Sequence, residues 1–198
     1  FFVANYSLSQ ARTNTAGAFA VAPGGDDLDA EWGPAAFDVR HRFGASLNLA
    51  PFRNVTMGLN VRGQSGAPYT ITTGRDDNGD GLFNDRPAGV GRNTVRGDAQ
   101  WDLGGRIAYA IGFGTPRQSG GGDGPRVVIR RGEGELRPGF GSGAEDKRYR
   151  VEFYLAGQNL LNRANYTAYS FVLTSPFYGR PVAAAQPRKL QAGIRFGF

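Results

Sequence analysis

The sequence contains no cysteine, a single histidine and no long apolar run. The missing cysteine excludes disulfide scaffolds, thiol nucleophiles and cysteine-ligated zinc sites. One histidine is too few for a catalytic triad together with a zinc site, and neither a Gly-x-Ser-x-Gly motif nor a phosphate loop is present. No enzyme activity is therefore predicted. Because no stretch approaches about 18 consecutive apolar residues, no membrane-spanning helix is predicted either.

Lysine is scarce as well. Only Lys147 and Lys189 are lysines among the 23 Lys and Arg residues, and the arginines are spread along the whole chain. A nucleic-acid-binding protein usually concentrates its cations on one stripe or face. Despite the net charge of +6, no nucleic-acid partner is predicted, and the basic residues are interpreted as solvated or lumen-facing.

Glycine and aromatic residues are abundant, with 31 Gly, 14 Phe and 8 Tyr. This composition is too aromatic for a disordered chain and too glycine-rich for a helical bundle. Apolar residues instead alternate with polar or small ones, which is the period of a β-strand. Six segments show this alternation and begin near Phe2, Phe37, Val55, Trp101, Tyr149 and Leu190.

The lengths of these segments favour membrane-crossing strands, which need about 9–11 residues when tilted, over the shorter strands of most soluble proteins. One face of each segment is apolar with aromatics near its ends, and the other carries charged and small residues. The predicted fold is an all-β, antiparallel transmembrane β-barrel segment of about six strands. The alternative is a soluble sandwich or lipocalin-like barrel, whose apolar side faces a core.

The connections between these segments alternate in length. Residues 9–36, 66–98 and 160–187 are long, polar loops, whereas residues 50–54 form a tight turn. Outer-membrane barrels have long extracellular loops and short periplasmic turns, so strand parity places the C-terminus in the periplasm. Residues 114–147 depart from this pattern and are predicted to be a flexible Gly- and Arg-rich insert without a function of its own.

The loop at 76–87 begins like a calcium-binding loop, with oxygen-bearing side chains at alternate positions before a glycine. The candidate calcium ligands are Asp76, Asn78, Asp80, the Leu82 carbonyl, Asn84 and Asp85. The twelfth position is Pro87 instead of the usual glutamate, so Asp85 would have to supply the closing carboxylate. The alternative is an Asx-rich turn held by its own side-chain hydrogen bonds.

Several blocks of sequence look like the C-terminal barrel segments of TonB-dependent outer-membrane receptors. The final strand, 188–198, ends on Phe198 and resembles the terminal strand of outer-membrane proteins, which the barrel-assembly machinery reads. The other blocks lie at 38–43, 63–70, 76–87 and 158–166. The nearest resemblance is to Oar-like members, which carry an N-terminal carboxypeptidase-regulatory-like domain. It covers nearly the whole chain except the insert.

The resemblance implies a barrel of about 22 strands with a plug in its lumen, energised through TonB contact in the outer membrane of a Gram-negative-type bacterium. Six strands are too few to close an outer-membrane barrel of any size, because single-chain bacterial barrels have at least about eight strands. The chain is therefore expected to be the C-terminal part of a longer protein, with the plug and the remaining strands before Phe1. The expected function is substrate uptake or export, with the substrate open and outer-membrane lipid around the wall. The alternative is a structural or adhesive outer-membrane protein that transports nothing.

Overall fold

The computed structural model describes residues 1–15, 28–116 and 147–198. These residues form an all-β structure without a helix, so none of them belongs to a helix that could cross a membrane. The longer strands are β1 (Phe2–Leu8), β4 (His41–Phe52), β5 (Val55–Gln64), β8 (Gln100–Pro116), β9 (Lys147–Gln158) and β12 (Lys189–Gly197). The shorter ones are β2 (Arg12–Thr13), β3 (Gly33–Pro34), β6 (Pro68–Tyr69), β7 (Val95–Arg96), β10 (Tyr166–Tyr169) and β11 (Pro181–Ala184).

The six longer strands form one antiparallel sheet in the order β1-β4-β5-β8-β9-β12, each beside the next one along the chain. All six alternating segments of the sequence contribute one strand to it, so the predicted all-β antiparallel architecture and its strand count are confirmed. The outermost strands are β1 and β12. Within the described residues the sheet is open at these two edges and forms no closed barrel.

The strand register places the apolar positions of neighbouring strands opposite one another. Leu47 of β4 faces Leu59 of β5, and Ile107 of β8 faces Leu155 of β9. Because side chains alternate between the two sides of a strand, this register collects the apolar residues on one face of the sheet, the apolar face. The remaining positions, which include Arg62 opposite Asp102, form the polar face.

The apolar face of this sheet is exposed, whereas in a water-soluble protein the apolar face of a sheet packs on a core. Large residues of the apolar face are exposed, including Ile107, Phe153 and Ile194 with 43%, 45% and 69% of their surface accessible. Among the described residues, the only buried hydrophobic residues are alanines. One buried charged residue, Glu152, lies in the sheet. The other buried polar and charged residues among those described lie in the connections and are Glu31, Asp38, Asp85, Arg92, Asn93, Asn159 and Asn165.

The connections meet at opposite ends of the sheet. The links from β1 to β4, β5 to β8 and β9 to β12 all lie at one end, the loop end, as the antiparallel order requires. Each contains a two-stranded ladder that the sequence did not predict: β2-β3, β6-β7 and β10-β11. The β4-β5 turn and both chain termini lie at the other end, the turn end. Most of the predicted insert, residues 117–146, lies outside the described residues.

Two predicted boundaries of β4 are wrong. The alternation suggests a strand from Phe37, but β4 begins at His41, because Asp38 turns back and its N–H donates to the Ala35 carbonyl. The strand also continues through the predicted turn to Phe52, with a register irregularity after Leu49 where Pro51 cannot donate a hydrogen bond. Asn54, with a φ of 69°, closes the short turn into β5.

Candidate functional site

A charged cluster lies at the middle of the polar face. Glu152 is 6% exposed and bonds to the guanidinium groups of Arg106 and Arg150, the latter at 2.7 Å. The Arg106 guanidinium also stacks over the Tyr154 ring, 4.8 Å from its centroid. The Tyr154 ring in turn covers Gly193, its partner on β12. These contacts tie β8, β9 and β12 together on the polar face.

A cleft of about 510 Å³ lies near the loop end of the sheet, and Phe43 and Trp101 of the apolar face line it together with residues of the polar face. Side chains from β4, β5 and β8 line one side of it, and the connection between β9 and β12 lines the other. The polar residues of the sheet that line it are Arg42, Arg62, Gln64, Gln100, Asp102 and Gln158. The Gln64 amide donates to the Gln100 side chain at 2.8 Å, which aligns the two amides along the cleft wall.

Two asparagines hold the connection between β9 and β12 against the sheet. The Asn165 amide accepts from the Trp101 N–H at 2.9 Å and donates to the Trp101 carbonyl at 2.7 Å. The Asn159 side chain donates to the Arg163 and Gln186 carbonyls and accepts from the Arg163 N–H. Both asparagines are buried, so their bonds fix the wall of the cleft.

At the loop end, the connections pack on one another through buried charges. Asp38 is 2% exposed; its carboxylate accepts the Ala11 N–H at 2.7 Å and pairs with Arg96. Burial by itself would raise the pKa of Asp38, but the Ala11 hydrogen bond and the Arg96 and Arg40 charges outweigh it and hold the pKa below its usual value. Asp38 is therefore ionised at neutral pH and joins the first two long connections.

A second ion pair joins the same two connections. Both guanidinium nitrogens of Arg86 reach the buried Glu31 carboxylate, at 2.7 and 2.6 Å. Nearby, Arg92 donates to the Thr13 carbonyl and the Asn93 amide donates to the Pro34 carbonyl at 2.6 Å. Bidentate pairing of this kind restricts geometry as well as adding energy. The polar cluster that these two connections form is here called the loop cluster and consists of Glu31, Asp38, Arg86, Arg92, Asn93, Arg96 and the neighbouring residues of the same connections.

Aromatic rings join the second and third long connections. The Tyr69 ring lies 5.6 Å from Tyr169 and 5.4 Å from Phe171. The Tyr69 hydroxyl donates to the Thr167 carbonyl at 3.0 Å, and the Tyr169 hydroxyl accepts from the Asp98 N–H at 3.1 Å. Burial raises the pKa of both tyrosines, so both stay neutral and keep these bonds at physiological pH.

The predicted calcium loop forms Asx turns. The Asp76 carboxylate accepts the N–H groups of Gly79, Asp80 and Gly81 at 2.7–3.0 Å. The Asp80 carboxylate accepts the Leu82 N–H at 2.7 Å, and the Asn78 amide bridges to Asp80. These are the side-chain hydrogen bonds expected of an Asx-rich turn, and they bring the first three candidate ligands together.

The remaining candidate ligands lie at the end of this loop. Asp85 is buried and accepts the Asp77 N–H at 2.6 Å, while the Asn84 side-chain oxygen is buried without a hydrogen-bond partner. Within residues 1–15, 28–116 and 147–198, no three acidic or histidine side chains are grouped to hold a metal ion. The predicted loop also uses amide and carbonyl ligands, so calcium binding there stays a prediction.

His41, the single histidine, lies at the loop end of the apolar face. Its Nδ1 is hydrogen bonded to the Tyr6 hydroxyl at 2.8 Å, and the two rings are stacked 6.2 Å apart. The His41 ring therefore contributes to the apolar face. Among the described residues, it contacts no carboxylate of the polar clusters. No catalytic arrangement involving His41 is evident among the described residues.

Sequence reasoning missed the buried carboxylates. Asp38 was assigned to a strand because it continued the alternation, and Glu31 lay in a loop without a motif. The local sequence shows only that Asp38 precedes two arginines, and that Arg86 and Arg92 lie at and after the end of the Asx-rich loop. Their pairing depends on contacts across more than 50 residues of chain, which no local pattern encodes.

Comparisons of this chain with protein-family models, with curated proteins and with solved structures found no match.

Proposed function

We propose that this chain forms part of the wall of an outer-membrane β-barrel, with its apolar face toward lipid and its polar face toward the lumen. The observation that carries this proposal is the exposed apolar face of the six-stranded sheet. In a soluble protein the apolar face of a sheet packs on a core, but within the described residues no element covers this one. Lipid is the environment that favours such a face.

Aromatic residues at both ends of the apolar face support a lipid contact. Phe43 and Trp101 are neighbours at the loop end, and Phe113, Tyr149 and Phe196 are neighbours at the turn end. From Trp101 to Phe113 the strand spans roughly 40 Å at about 3.4 Å per residue. With a tilt near 40°, this corresponds to roughly 30 Å across the membrane, about the thickness of the hydrocarbon core.

Within this class of wall, we propose the C-terminal barrel portion of a TonB-dependent receptor of the Oar-like group. The order of the resembling sequence blocks supports this assignment, as does the alternation of apolar and polar residues in β12, which the barrel-assembly machinery would read. The open edges at β1 and β12 would pair with the other strands of the barrel, which satisfies their backbone groups. The loop cluster would then lie at the external mouth, and a plug elsewhere in the protein would contact TonB.

The two tryptophans provide a direct test of the lipid-facing surface. Trp101 lies on the apolar face, 42% exposed, whereas Trp32 lies in the loop cluster, 55% exposed. The complete barrel that contains this chain is refolded into phosphatidylcholine vesicles with Trp32→Phe or Trp101→Phe and with phenylalanine at any tryptophan outside residues 1–198, so that one tryptophan remains in each. Lipids brominated near the headgroup should quench Trp101 strongly and Trp32 weakly, because only Trp101 contacts acyl chains.

Aqueous iodide provides the complementary measurement and should quench Trp32 more than Trp101. Equal quenching of both tryptophans by iodide, with no effect of brominated lipid on Trp101, would mean that the apolar face is covered by protein or water. That result would reject the barrel-wall proposal.

A further inference from the structure

Two arginines of the cleft differ from the arginines of the charged clusters. Arg86, Arg96, Arg106 and Arg150 each pair with a buried carboxylate. Arg42 and Arg62 are exposed and, among the described residues, make no side-chain hydrogen bond or ion pair. Their charges are therefore available to a molecule that enters the cleft.

The register places these two arginines side by side. Arg42 faces Gln64, and Arg62 faces Gly44, so the two are diagonal neighbours on β4 and β5. Diagonal neighbours of this kind lie about 7–8 Å apart, a distance that two long side chains easily close around one ligand. Because Gly44 has no side chain, the Asn5 amide occupies the space beside it and flanks the same position.

The cleft carries a net positive charge. Asp102 faces Arg62 and is the one acidic residue among the described residues that line the cleft. Its carboxylate also accepts the Asn159 N–H at 3.0 Å. One carboxylate against two guanidinium groups leaves an excess of cationic donors, which arginine presents in a planar fork suited to oxyanions.

The cleft is also preformed. The Asn159 and Asn165 bonds described above fix its loop wall, and the Gln64–Gln100 pair fixes its sheet wall. Its volume of about 510 Å³ lies within the range of about 300–1,000 Å³ that is typical of small-molecule sites. A site with fixed walls pays less conformational entropy on binding than a flexible one.

We infer that this cleft binds the oxyanion of a carboxylate- or phosphate-bearing small molecule, with Arg42 and Arg62 as the charged donors. Gln158 adds a neutral amide at the same cleft. The site is formed by contacts within the chain, so it goes beyond the proposed function and does not depend on lipid at the apolar face.

Calorimetric titration of the full chain in detergent micelles tests the inference, with sodium citrate and inorganic phosphate as probes and sodium chloride at the same ionic strength as the reference. We expect saturable binding of citrate, phosphate or both, with the stronger response identifying the preferred oxyanion. Arg42→Gln and Arg62→Gln should each weaken binding at least about tenfold, because each removes hydrogen bonds from a charged donor. The double variant should bind neither probe.

Arg195→Gln is the matched control, because it removes one positive charge from the same face outside the cleft lining. Its affinity should stay within about twofold of the unmodified chain. If it weakens binding as much as the cleft variants, general electrostatic attraction is responsible and the inference is wrong. Absence of binding by both probes to the unmodified chain would also overturn it.

Circular dichroism checks that each variant keeps its β-structure. Where a Gln variant does not fold, Arg→Lys at the same position replaces it; this keeps the charge but loses bidentate geometry, and unchanged affinity would then overturn the site. Lipid quenching of Trp101, measured separately, distinguishes a failure of this inference from a failure of the barrel-wall proposal.

Discussion

At the scale of single residues, the loop cluster is held by buried charges and hydrogen bonds. Asp38 receives one backbone N–H and pairs with Arg96, and Glu31 receives both arms of Arg86. A buried charge is costly unless it is paired and hydrogen bonded, so each carboxylate stabilises the cluster only while its partners stay in place.

The lowered pKa of Asp38 predicts acid sensitivity of the loop cluster. A carboxyl group whose pKa is lower in the folded state contributes stability above its unfolded pKa, near 4, and this contribution is lost as the pH falls through the folded pKa. Fluorescence of Trp32 in the Trp101→Phe background, where Arg12 lies 5.7 Å over the ring, should report opening of the cluster below about pH 4.

Asp38→Asn should loosen the cluster at neutral pH by about 2 kcal/mol, because Arg96 loses a charged acceptor, and should remove part of the acid transition. Asp77→Asn is the control, since Asp77 is an exposed acid in a neighbouring loop. If unmodified protein and Asp38→Asn showed the same transition, Asp38 would not contribute to it.

At the scale of the strands, close packing across the polar face relies on glycine. Gly193 of β12 faces Tyr154 of β9, and a Cβ at Gly193 would lie 2.5 Å from the tyrosine hydroxyl oxygen. The tyrosine ring therefore occupies space that only glycine leaves open. This contact couples the last strand of the chain to the charged cluster, because Arg106 stacks on the other part of the same ring.

Gly193→Ala should lower the free energy of unfolding by about 1–3 kcal/mol, because the tyrosine must leave a packed position. In a Tyr154→Ala background the same substitution should cost much less, so the two effects should be non-additive. Gly197→Ala is the matched control on the same strand, since its nearest neighbouring atom would lie at 4.0 Å. Urea unfolding of the full chain in detergent measures the free energy of unfolding of Gly193→Ala, Tyr154→Ala, the double variant and Gly197→Ala. If the costs of Gly193→Ala and Tyr154→Ala simply added in the double variant, the packing argument would be contradicted.

At the scale of the whole molecule, the two faces of the sheet favour different surroundings, one apolar and one polar. The apolar face is exposed and aromatic, while the polar face holds Glu152 and its arginines. A substitution should therefore have different consequences on the two faces even where both positions are accessible. Consecutive residues of one strand provide that comparison without changing the local backbone.

Ala192 and Gln191 are adjacent exposed positions of β12 that point to the apolar and polar faces, respectively. Ala192→Arg should destabilise the protein refolded in vesicles by about 2–4 kcal/mol if the residue lies near the bilayer midplane. Gln191→Arg should cost less than about 1 kcal/mol, because the position is exposed and its side chain loses an exposed 3.3 Å hydrogen bond to the Tyr154 hydroxyl. Urea unfolding in vesicles provides the measurement, and equal tolerance of both variants would contradict a lipid-facing surface.

Much of this architecture was predictable from the sequence. A pleated strand alternates its side chains, so the period-two pattern determined the all-β class, the six strands and the composition of each face. The Asx turns at Asp76 were likewise local, because the hydrogen bonds of the Asp76 and Asp80 carboxylates span five residues or fewer. The strand prediction was wrong at Asp38. This residue continues the alternation in the sequence, but in the structure it pairs with Arg96, 58 residues away.

The tertiary structure alone decided which charges meet. The pairing of Arg106 with Glu152 and the neighbouring positions of Arg42 and Arg62 follow from strand order and register. The pairing of Arg86 with Glu31 follows from the packing of two connections at the loop end. Register brings together residues that are distant in the chain. A sequence pattern shows which face of the sheet a residue lies on, but not which residue it lies opposite. The sequence by itself therefore determined two chemically opposite faces, and the fold assembled the loop cluster at the loop end and the cleft beside it.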